Sequence, residues 1–108
     1  MQKLDNSFIT YASDILADTN SCLTGMNIVE LCNSYAVDFN KTVPHSSYPF
    51  EAKNKRTALK ENLLAFDAAE QFRIIKEICD LPGLCSIEEV QELKIKLFHA
   101  MVTWQRRN

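Results

Sequence analysis

The sequence predicts an all-α fold, a compact bundle of about five helices interrupted by one long proline-containing loop. Three observations predict it. Apolar residues recur at helical spacing along most of the chain, and helix-capping residues stand at the starts of those runs. Only two glycines and three prolines occur in 108 residues, too few for the tight turns of an all-β sandwich. Residues 41–52 are the only stretch in which a short strand pair has room to form. At 12.4 kDa the chain is expected to be one domain, 1–108, because two domains would each have too small a core.

The first helix is carried by Phe8, Tyr11, Ala12, Ile15 and Leu16, with Asp5, Asn6 or Ser7 as its cap. The polar run from Asp18 to Ser21 ends it. Thr24 caps the second helix, and Leu23 with Ile28 has the spacing of a hydrophobic staple. Ile28, Leu31, Cys32, Tyr35, Ala36 and Phe39 form its stripe through Asn40. Gly25 falls at the first helical position, where its entropic cost is smaller than in mid-helix.

Pro44 and Pro49 forbid a continuous helix through residues 41–52. Tyr48 and Phe50 are expected to tuck in as anchors, and loops of this length are more often functional than short ones. The third helix runs from about Lys53 to Leu64, basic at its start and apolar at Leu59, Leu63 and Leu64. Asp67 to Glu70 has capping-box spacing, with Asp in place of Ser or Thr, and opens a fourth helix bearing Phe72, Ile75, Ile78 and Cys79. Leu81-Pro82-Gly83 stops it. Ser86 to Glu89 is a second capping box, opening a fifth helix to about Trp104. Its stripe is Val90, Leu93, Leu97, Met101 and Trp104, widened by Phe98 and Val102.

Few chemistries fit these residues. No apolar run approaches the roughly 20 residues a membrane span requires. The N-terminus lacks the apolar stretch of a signal peptide, so a cytoplasmic protein with no membrane partner is expected. In that compartment Cys22, Cys32, Cys79 and Cys85 stay reduced, and Cys32 and Cys79 act as small core hydrophobes. No C-x-x-C pair suggests a zinc or redox motif. No Gly-rich phosphate loop, metal-dependent nuclease pattern or Arg-x₄₋₆-His motif occurs, and no cofactor is expected. His45 has Ser46 and Ser47 beside it, but adjacency supplies neither the third group nor the oxyanion donors of a triad. His99, alone on the fifth helix, reads as structural.

Charge is segregated. Residues 41–60 carry five bases against one acid, while 61–92 carry eight acids against two bases. Lys53, Lys55, Arg56 and Lys60, preceded by Tyr48, are the candidate partner-binding or anion-binding residues. Basic groups at a helix start oppose the helix dipole, so a negatively charged partner would rationalise them. Nucleic acid is not favoured. The connection between helices two and three is about a dozen residues, against three or four in a helix-turn-helix, and the acidic flanks repel phosphate.

Three stretches, Leu23 to Cys32 with Thr24-Gly25 ahead of Ile28 and Leu31, Asn54 to Leu59, and Phe66 to Pro82, carry a family pattern. It resembles the N-terminal helical module of bacterial abortive-infection (AbiJ-like) proteins. The resemblance implies a module joined to a C-terminal effector, often a helical ribonuclease-like or other toxic domain, with a sensing, targeting or regulatory role. Lys55, Arg56 and Leu59 match its motif, and it assigns them no catalytic role. With the chain stopping at Asn108, where an effector would begin, an excised module or a stand-alone partner protein is expected.

The leading expectation is therefore a non-enzymatic recognition or regulatory module of a bacterial anti-phage protein, acting with a protein partner or fused effector. One rival is a small nucleic-acid-binding regulator using the basic 53–60 region. Another is a helical oligomerisation domain, with a homodimer as its simplest form, pairing through Phe98, Met101, Val102 and Trp104.

Overall fold

The computed structural model describes residues 3–83 and 85–107. Among them lie five helices, α1 (Asn6–Leu16), α2 (Gly25–Phe39), α3 (Lys55–Leu63), α4 (Ala68–Cys79) and α5 (Ile87–Arg107), and no strand. Residues 41–54 are irregular throughout. The all-α expectation holds.

Helix α1 is the hub. It packs against α3, α4 and α5, while α2 packs on α3 and α4 on α5. Contact on three sides explains a difference from the periodicity. Ile9, Ala12, Ser13 and Leu16 are the buried positions, and Phe8, Tyr11 and Ile15 are partly buried against the same core. A helix surrounded by three others is apolar around most of its circumference rather than along one stripe. Phe66, Ile28, Leu59, Leu63, Ile75 and Leu93 are among the completely buried side chains.

The caps vary in how they work. Thr24 and Asp67 both form reciprocal capping boxes, with Asn27 and Glu70 as the returning side chains. Asp5 occupies the cap position of α1 without a side-chain capping bond. Its carboxylate instead accepts from Arg107 Nη1 at 3.0 Å, tying the first helix to the end of the last. Ser86 precedes α5, its carbonyl accepting from Val90 N–H at 3.0 Å.

Two polar side chains, one buried amide and one exposed carboxylate, join elements. Gln71, fully buried on α4, accepts from Leu4 N–H at 2.9 Å and donates to Leu63 carbonyl at 2.9 Å. Asp80 accepts from Lys94 at 2.6 Å and Lys76 at 3.4 Å, linking the end of α4 to α5. Those lysines, Lys94 first, hold its carboxyl below the usual aspartate range. Gly83, in the turn between α4 and α5, has φ +75°, a conformation other residues resist.

The expectation of four reduced thiols needs correction. Cys22 and Cys85 form a disulfide, with Cα atoms 4.4 Å apart. The pairing is not legible in the sequence, because the two cysteines, 63 positions apart, meet only when the α1–α2 loop lies beside the α4–α5 turn. Cys32 and Cys79 are free and buried as expected, and burial pushes each thiol up to about 11.

Candidate functional site

The long loop is tied to the helices at several points. Asn40 ends α2 in the left-handed conformation, φ 55° and ψ 51°, which its short polar side chain tolerates. Val43 is then buried. At His45 the backbone meets Asn62, a completely buried polar residue on α3. His45 N–H donates to Asn62 Oδ1 at 2.9 Å, and Asn62 Nδ2 donates to His45 carbonyl at 3.0 Å. Asn33 of α2 donates to Ser46 carbonyl at 2.9 Å.

The His45 ring has its own partner, Nε2 lying 2.6 Å from Glu61 Oε1. Its ring meets Phe50 edge to face, and Phe50 meets Tyr48 the same way. Tyr48 lies over Gly25, where an added Cβ would collide with its ring. Close approach, more than entropy, thus explains glycine at the start of α2. Tyr48 is nevertheless 53 % exposed, so only Phe50 of the two expected anchors is substantially covered.

The basic residues do not form one cluster. Lys55 turns its ammonium to the α1–α2 loop, donating to Leu23 carbonyl at 2.7 Å and Ser21 carbonyl at 3.2 Å. Arg56 and Lys60 line a groove of about 250 Å³ between α1 and α3, together with Thr10, Ser13, Asp14, Asn54 and Thr57. Lys53 is exposed before α3 and does not line that groove. Asp14 in the groove offsets part of its positive charge.

The other face of interest is on α5. Val90, Leu93 and Leu97 are buried and Trp104 packs against the core. Ile87, Ile95 and Phe98 are 74 %, 62 % and 63 % exposed. Phe98 therefore does not widen the core-facing stripe as the sequence suggested. It belongs to a second, outward stripe, with Val102 half-buried beside it. Met101 is also half-buried, and Trp104 lies on the inner side, so the four expected interface residues are divided between two faces.

Sequence reasoning missed Glu61, Asn62 and the Cys22–Cys85 pair. Asn62 had a faint signal, standing among Leu59 and Leu63 at positions where α3 faces the core. Nothing local marked Glu61, because its partner lies 16 residues away across the loop. Among the described residues no group of three or more His, Cys, Asp or Glu is placed to hold a metal ion. No described helix is long and apolar enough to cross a membrane. No family model, curated protein or solved structure matches this chain.

Proposed function

We propose that this chain is a non-enzymatic recognition module that docks a protein on the outward face of α5. The observation that carries the reading is the row of large apolar side chains at Ile87, Ile95 and Phe98, exposed on a helix whose opposite side is packed in the core. Exposed apolar patches mark interaction surfaces far more often than isolated apolar residues do. The loop's polar groups support the same reading. Asn62 and Asn33 are spent on holding backbone, and Glu61 on the His45 ring.

The defence role is part of this proposal and rests on the resemblance over residues 23–82. A regulatory module that couples a partner to an effector needs a docking face and no chemistry of its own. One clause of the motif has a structural explanation, since Lys55 spends its charge on the carbonyls of Ser21 and Leu23. A cytoplasmic setting is the companion proposal, and the Cys22–Cys85 disulfide weighs against it, because the cytoplasm keeps thiols reduced. Rapid alkylation of intact cells followed by mass spectrometry reads the redox state of that pair.

A second reading takes the groove holding Arg56 and Lys60 as an anion or nucleic-acid contact, favoured by the absence of an ion pair to either among the described residues. Gel-shift titration at two salt concentrations separates it from the first, since phosphate contacts give a steep salt slope.

The recognition reading is tested with the purified chain against ester, peptide and nucleic-acid substrates. No turnover is expected. Turnover abolished by His45→Ala or Glu61→Gln overturns it.

A further inference from the structure

We infer that the occupant of the outward face of α5 is a second copy of this chain, packed antiparallel to the first around Ile95 and Phe98. The inference rests on the recognition reading and names its partner.

The stripe has helical spacing of its own. Ile87, Gln91, Ile95, Phe98 and Val102 follow one another at intervals of four, four, three and four residues. Such spacing keeps side chains on one side of a helix, and here that side faces away from the buried seam at Val90, Leu93 and Leu97. Beside it a shallow depression of about 300 Å³, lined by Phe98, His99, Val102, Thr103 and Arg106, offers a seat for Ile95 of the second copy.

Charge selects the partner and its direction. The first half of α5 carries Glu88, Glu89 and Glu92, and its last turn carries Arg106 and Arg107. A parallel pair would set like charges against each other, whereas an antiparallel pair sets acidic against basic ends. Glu88 and Arg106 are 18 residues apart, five turns at 3.6 residues per turn, and so project from the same edge of the stripe. Antiparallel helices bring matching edges together. With Ile95 opposite the Phe98–His99 region and Gln91 opposite the Val102–Thr103 region, Glu88 of each copy comes opposite Arg106 of the other.

Neither residue forms an ion pair within the chain among the described residues, whereas Lys94, Lys96 and Arg107 do. Two-fold symmetry repeats the contact, so one self-complementary surface supplies both halves of the interface.

Sedimentation velocity and light scattering over a wide concentration range test this on the whole chain. The wild type is expected to pass from monomer to dimer. Phe98→Glu, at an already exposed position, is expected to weaken association by at least about a hundredfold, as loss of a central apolar anchor does. Unchanged circular dichroism shows that the fold is kept. Glu88→Arg and Arg106→Glu are each expected to weaken dimerisation about three- to tenfold, and the double exchange to restore it. A wild type that stays monomeric at the highest concentration overturns the self-pairing. So does a dimer indifferent to Phe98→Glu, or one in which the double exchange fails to rescue the single ones. The recognition reading fails separately, through catalytic turnover.

Discussion

Asn62 grips the backbone of His45 from both sides, accepting its N–H at 2.9 Å and donating to its carbonyl at 3.0 Å. A single buried amide thus stands in for the strand or helix that residue 45 lacks. Backbone groups drawn out of water each need a partner, so the placement of the loop at residue 45 depends on this side chain. Asn62→Leu is expected to lower stability by about 2–4 kcal/mol, because two backbone groups lose their partners at once. Urea denaturation checks the value. A loss below about 0.5 kcal/mol would mean that water takes over both bonds.

The disulfide closes a long loop, from Cys22 to Cys85. Loop-closure entropy puts its contribution at up to about 4 kcal/mol for that separation, with measured values commonly lower. Cys22→Ser, or a reducing agent with the wild type, is expected to lower the thermal midpoint. The same midpoint with and without reductant would show that the bridge adds nothing to folding.

The two free thiols give a pH-dependent signature. Burial pushes Cys32 and Cys79 up to about 11, against 9.0 for an ordinary thiol. Asn62, hydrogen-bonded to Cys32, opposes that rise only in part. The folded pKa is raised, so this contribution is complete below about pH 9 and is lost as pH rises towards 11. For Cys32 the loss is on the order of 2 kcal/mol. At pH 8 both thiols are expected to resist a thiol reagent in the native state and to react once denatured. Native reactivity at the unfolded rate would contradict their burial.

Lys55, Arg56 and Lys60 lie within six residues of one another but have different duties. Lys55→Met removes a charged donor from the carbonyls of Ser21 and Leu23 and is expected to cost about 1–3 kcal/mol in chemical denaturation. Arg56→Ala and Lys60→Ala are expected to change stability by less than about 0.5 kcal/mol. Equal losses for all three would show that the groove residues are structural as well.

Much of this protein is legible in its sequence. Periodicity and capping residues determined the five helices, and Thr24 and Asp67 determined where α2 and α4 begin, because caps and amphipathic spacing act within a few residues. Cys32 and Cys79, lying on apolar stripes, were readable as core for the same reason. What the tertiary structure alone decided involves residues far apart along the chain. It brought Cys22 to Cys85, aimed Lys55 at the carbonyls of the α1–α2 loop, and paired His45 with Glu61 and Asn62. It also turned Phe98 outward while Trp104 faces in. A helical pattern says which residues share a face, but the number and placement of neighbouring helices decide which faces are covered.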